Sequence, residues 1–148
     1  MNTHTEKVLE NNDYYTFYLT EDDAVLVFDW KPIKGLSINS FQSAIAEFAA
    51  QCEQHKPTRA VIDAAALDQQ SPAVAWLRGQ NNEEGEPEYL SWWMSNIVPH
   101  YNNAGILSLA VGTGDPNAPG ELPEAGPEVN FKMGYFQDFA TAIQWQCS

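Results

Sequence analysis

Basic residues are scarce in this sequence. Seven Lys and Arg stand against 20 Asp and Glu over 148 residues, a formal net charge of -13. The seven (Lys7, Lys31, Lys34, Lys56, Arg59, Arg78 and Lys132) form no cluster. Binding a phosphate backbone takes a concentrated patch of cations, so nucleic acid is excluded as a partner and an anionic membrane surface is repelled. Cysteine is nearly absent. Cys52 and Cys147 lie far apart, in segments that read as helices, without C-x-x-C spacing; both are expected to be small apolar residues rather than a bridge. Long apolar runs are missing as well: "AVLVF" falls far short of a membrane span. The opening "MNTHTEKVLENND" has no apolar signal-peptide region, so the expectation is a flexible stretch over 1–13 and a cytoplasmic protein. His4, His55 and His100 are not spaced with one another, or with Cys or carboxylates, as zinc ligands are, so no metal and no cofactor is expected. No G-x-S-x-G elbow occurs and neither cysteine sits in a catalytic setting, which points away from an enzyme.

What is present is an ample core. Hydrophobic residues make up 44% and aromatics 12% of the chain, enough to offset the entropy of ordering one domain, here placed at 14–148. "YYTFYL" (14–19) and "AVLVFDW" (24–30) are rich in aromatic and β-branched residues and predict a hairpin turning at Thr20 to Asp23. Ile38, Phe41, Ile45, Phe48, Ala49 and Cys52 recur at spacings of three and four and predict a helix. Asn39 and Gln42 resemble a capping box at its start, and Pro57 ends it. "RAVIDAA" (59–65) and "ILSLAVG" (106–112) read as strands buried on both faces. Between them, Ser71-Pro72 predicts an N-cap opening "AVAWL". "RGQNNEEGEPE" reads as a mobile surface loop, and a further helix from Tyr89 should kink or restart at Pro99 and close at Gly105. "EVNFKM" (128–133) alternates as a strand does, and Asp138 can cap a last helix, "FATAIQWQC". Strands separated by helices predict right-handed crossovers, and so one α/β domain with a mixed, mainly parallel sheet.

Gly112-Thr113-Gly114 follows a strand, as phosphate-cradling loops do, but the rest of that device is missing. Pro116 and Pro119 lack donors, Asp115 and Glu121 repel anions, no third glycine follows, and no helix opens there. As an EF-hand the loop fails at Pro119 and at Gly126, where position twelve needs a Glu. The glycines are better explained as a tight exit from a buried strand.

Three groups of residues remain as candidates. His100 could serve as acid or base with Asp63, which ends an internal strand where ligand sites of α/β folds gather. Ser71 is accounted for as the cap of the helix that follows it, although the fold could bring it beside His100. Trp76, Tyr89, Trp92, Trp93 and Tyr101 crowd two helices. One indole of the pair Trp92 and Trp93 is expected to turn toward a partner or a pocket.

The hairpin "YYTFYLTEDDAVLVFDW", the strand "RAVIDAAAL", the passage "WWMSNIVPHYNNAGILSLAVG" and the closing "FQDFATAIQW" together resemble, over about residues 14 to 146, the stand-alone bacterial STAS-like domains. These are related to sporulation anti-sigma-factor antagonists and grouped with Sec14-type lipid carriers. The resemblance implies a five-stranded mixed sheet flanked by helices, no catalytic machinery and a regulatory role exercised by binding. The antagonists carry a phosphorylated Ser in an Asp-Ser-Ser motif, where this chain has "LDQQSPAVAW" and only Ser71 falls close; the resemblance therefore implies Ser71 as the candidate regulatory residue, where a phosphate would benefit from the helix dipole. The expected function is contact with a protein partner or a second copy through the aromatic helices. The alternative is carriage of a small apolar or amphipathic ligand in a pocket walled by Trp76, Tyr89 and Trp93. A hydrolase using His100 and Asp63 is the third reading.

Overall fold

The computed structural model describes residues 7–20, 24–77, 89–122 and 129–146. Among them the chain forms one mixed sheet of seven strands with five helices, in place of the five strands expected. The predicted hairpin is β2 (Tyr15–Leu19) and β3 (Val25–Trp30), paired with Phe17 opposite Phe28. An additional strand, β1 (Lys7–Asn11), lies antiparallel against β2, within the stretch expected to be flexible. Its sequence, "KVLEN", carries charge at an edge and a register shift between Val8 and Glu10, features that blunt an open edge and also hide the strand from a periodicity reading.

Helix α1 (Ile38–His55) turns its apolar stripe inward as predicted. Its cap differs from the Asn39–Gln42 expectation: the Ser37 hydroxyl accepts from Ser40 N at 3.1 Å. Lys56 closes the helix in the left-handed region, with φ of 51°. Strand β4 (Arg59–Asp63) follows, then α2 (Pro72–Leu77), α3 (Tyr89–Asn96) and α4 (Val98–Ala104), which restarts at Pro99 and closes at Gly105. The loop "RGQNNEEGEPE" lies outside the described residues, as does Cys147. β5 (Ser108–Gly112) leads to β6 (Gly120–Glu121), a two-residue strand inside the segment read as loop. β7 (Lys132–Phe136) begins near the end of the predicted "EVNFKM". α5 (Phe139–Gln146) is capped by Asp138, whose Oδ1 accepts from Thr141 N at 2.8 Å.

The strand order is β1-β2-β3-β4-β5-β7-β6. Pairing is parallel across β3/β4, β4/β5 and β5/β7 and antiparallel across the other three junctions, so the sheet is evenly mixed rather than mainly parallel. Alternation along each strand sorts the side chains into two faces. Leu26, Phe28, Ala60, Ile62, Leu109 and Met133 meet α1 to α4 in the larger core. Val61, Ala110 and Phe136 meet Ala142 of α5 in a smaller one. Phe48 of α1 is fully buried against Phe17, Phe28 and Tyr101, and such a ring contributes about 1.5–3 kcal/mol of hydrophobic burial.

Candidate functional site

A recess on the larger-core side lies between the turn after β1 and the amino-terminal half of α1. One wall comes from the turn. Asn12 Oδ1 accepts from Tyr14 N at 2.8 Å and Tyr15 N at 3.0 Å, and so holds both tyrosines at the rim. Lys31 Nζ braces this turn by donating to Asn11 Oδ1 at 2.9 Å and to the Asn12 carbonyl. The other wall is helical. Asn39, Ser43 and Glu47 recur every four residues and share a side of α1 beside its buried stripe. Trp30, 2% exposed, is stacked between Phe28 at 4.6 Å and Phe41 at 5.8 Å, with the edge of Tyr15 at 5.6 Å. The cleft has a volume of about 310 Å³, within the range of small-molecule sites.

Its lining sets aromatic rings beside amide, hydroxyl and carboxylate groups. Tyr14 stays 52% exposed and offers a ring; Asn39, Ser40 and Ser43 offer amide and hydroxyl groups, and Glu47 a carboxylate. The Trp30 indole N–H is buried and has no acceptor among the described residues. Buried donors are almost always paired, so an orphan at a cleft calls for an acceptor from outside. Burial, together with the nearby Glu47 and Glu10 charges, pushes the Tyr15 hydroxyl above its ordinary range against the opposing pull of the Asn12 hydrogen bond; it stays a neutral donor.

The aromatic residues singled out in the sequence fall elsewhere and divide. Trp76 and Trp93 are 2% exposed and Tyr101 is fully buried, so these three are core and present no face to a partner. Tyr89 and Trp92 keep part of their surface and pack on Trp76 at 5.2 and 5.4 Å. Burial holds the Tyr89 hydroxyl well above its ordinary range and pushes Tyr135 up to about 12. The Tyr89 and Trp92 rings pack edge to face on Trp76.

His100 and Asp63 do not meet. His100 Nδ1 lies 2.6 Å from Glu53 Oε1 on the last turns of α1, where Asn103 Nδ2 also donates to Glu53 Oε2 at 3.2 Å. Glu53 precedes the amino end of β4 by six residues, whereas Asp63 closes that strand about 13 Å further along. Asp63 instead stands in register with Asp29 on β3, and its Oδ1 accepts from Ala65 N at 3.3 Å. Burial raises both carboxyls above their usual range, each helped by a neighbouring aspartate. Ser71 is 1% exposed, and its hydroxyl caps α2 by accepting from Val74 N at 3.3 Å; a kinase would have to unfold this corner to reach it.

The glycine loop spends its donors on backbone. Thr113 N donates to Phe136 O and Gly114 N to Gln137 O, both at 2.8 Å, which ties the exit of β5 to the end of β7. Gly114 takes φ of 80°, and a Cβ there would lie 3.2 Å from Ala65 O. No cluster of His, Cys, Asp or Glu able to hold a metal occurs among the described residues. No helix among them is long and apolar enough to cross a membrane.

The sequence reading missed the cleft. Its one sequence signal was the polar stripe Asn39, Ser43, Glu47 on an otherwise apolar-striped helix. The orphan indole belongs to a residue read simply as strand. No protein-family model, curated protein or solved structure matches this chain.

Proposed function

We propose that this protein acts by binding rather than by catalysis, and that its ligand is a small neutral polyhydroxylated molecule held between the 12–15 turn and α1. The carrying observation is the Trp30 indole N–H, a buried donor without an acceptor beside a cleft of about 310 Å³. A hydroxyl oxygen would accept from it, and a hydroxyl hydrogen would donate to Glu47. The exposed Tyr14 ring would cover an apolar ring face, as aromatic side chains do for flat ligand surfaces. The resemblance to STAS-like domains supports a role without catalytic machinery.

The test is titration of the full chain with a panel of monosaccharides and polyols, followed at the Trp30 indole N–H by ¹⁵N-resolved NMR. A saturable shift is expected. Trp30→Phe keeps a ring and removes the donor, and should weaken binding about tenfold. If no member of the panel moves that resonance, the cleft is not the site.

A second reading, contact with a protein partner or a second copy, is favoured by the partial exposure of Tyr89 and Trp92. It predicts that light scattering detects an assembly that Trp92→Ala dissolves; a monomer in both cases would rule out the homodimer.

A further inference from the structure

On the opposite face of the sheet a separate group of residues has no role in the cleft just described. β4, β5 and β7 start in register: Arg59 pairs with Ser108, and Ser108 with Lys132. With strands about 4.8 Å apart, the two cations flank one serine, their Cα atoms about 10 Å from each other. Alternation places all three on the face that α5 covers.

Gln146, the last residue of α5, comes down onto this row. Its Nε2 donates to Ala60 O at 2.9 Å and to Ser108 Oγ at 3.1 Å, with a longer contact to Ser108 O at 3.4 Å. Those acceptors fix which end of the amide is nitrogen. The other end, Oε1, is buried and has no donor among the described residues, on a side chain only 7% exposed. A cleft of about 400 Å³ opens here, lined by Arg59, Lys132, Leu107, Trp145 and Glu121 with Ser108 and Gln146.

Three features of the lining select a ligand. Neither Arg59 nor Lys132 has an ion-pair partner among the described residues; in a chain of net charge -13, two of seven cations are left facing one recess. Glu121, the one carboxylate of the lining, accepts from the Trp145 indole at 2.8 Å. Leu107 is 62% exposed beside them, one of few large apolar side chains left open on the described surface.

We infer that this recess binds a small organic carboxylate that bears a hydroxyl or N–H next to the carboxyl group and an apolar tail. The carboxylate lies between the Arg59 guanidinium and the Lys132 ammonium, which supply charge-assisted hydrogen bonds. The adjacent hydroxyl or N–H donates to Gln146 Oε1. The tail covers Leu107 and the Trp145 ring. A water molecule could satisfy Gln146 alone, but it would leave both cations and the apolar wall unexplained.

Mandelate, which has carboxylate, hydroxyl and ring, is the probe, with phenylacetate lacking the hydroxyl and mandelamide lacking the charge. Titrated into the full chain, mandelate should give saturable shifts at the Trp145 indole and the Gln146 side-chain amide. Phenylacetate should bind about tenfold more weakly, and Lys132→Gln should weaken mandelate by about tenfold, each having lost one hydrogen bond, charge-assisted in the second case. Glu121→Gln removes a repelling charge and should tighten mandelate. Lys132 is exposed, so its variant is expected to fold. Equal shifts with mandelamide and mandelate, or unchanged mandelate affinity in Lys132→Gln, would overturn the assignment.

Discussion

Three buried polar atoms lack partners among the described residues: Trp30 Nε1, Gln146 Oε1 and Tyr101 Oη. The first two belong to residues that line recesses, where a ligand can complete them. Tyr101 differs, being packed in the core against Phe48, Trp93 and Phe131. Burial holds its hydroxyl far above the ordinary tyrosine range, hence uncharged. An unsatisfied buried hydroxyl costs about 1–3 kcal/mol, while the ring supplies most of the packing. Tyr101→Phe should therefore leave stability unchanged or raise it by up to about 1–3 kcal/mol in urea unfolding; a clear loss would mean that the hydroxyl has a partner after all. Asp63 makes the opposite kind of prediction, one that depends on pH. Burial raises its carboxyl pKa in the folded state, with Asp138 adding to the shift, and the Ala65 N–H only partly opposes this. A raised folded pKa means that the contribution to stability is fully present below the unfolded value of about 4 and is lost as pH climbs through the folded value. Asp63→Asn keeps an oxygen for Ala65 and escapes that loss. Its advantage over the parent should grow as pH rises above about 4; an advantage largest in acid would contradict the burial argument.

Elements differ in how far the sequence discloses them. α1 was legible because Phe41, Ile45, Phe48 and Cys52 set one stripe over about three turns, and β2 and β3 because aromatic and β-branched residues dominate them. The cap of α1 was misplaced by two residues, since Asn39 and Gln42 fit the capping-box pattern as well as Ser37 does. Ser37→Ala should lower stability by about 1 kcal/mol; the same loss from Asn39→Ala, with Ser37→Ala silent, would restore the earlier placement. β1 and β6 escaped notice because one is a charged edge strand and the other has two residues. Neither recess was legible. The Arg59–Ser108–Lys132 row exists only once the registers of three strands separated by up to 73 positions are fixed. The Trp30 donor is an orphan only because Phe28, Phe41 and Tyr15 surround its ring without offering an acceptor. Hydrophobic pattern specifies which side of a strand faces inward. It carries no record of which buried polar atom goes unpaired.

For the whole molecule, charge is the dominant feature. Twenty acidic residues against seven basic ones give -13, yet one ion pair, His100 with Glu53, joins the described residues, and it counts as one only when the histidine is protonated. Among the described residues the acidic charges are thus left almost without ion pairs, and the repulsion that goes with a net charge of -13 works against the compact state. Salt shortens its range: the Debye length falls from about 30 Å at 0.01 M to about 8 Å at 0.15 M. Thermal unfolding should accordingly move to higher temperature as sodium chloride is added over that interval. A second mechanism could produce the same trend, chloride settling between Arg59 and Lys132, and the two can be separated. Replacing both cations by Gln takes the net charge from -13 to -15, which abolishes the anion site and deepens the overall repulsion. If dispersed repulsion is the cause, the double variant should gain at least as much from salt as the parent does. If its midpoint no longer responds, site binding accounts for the effect, and the acidic surface is already well enough separated by geometry to cost the fold little.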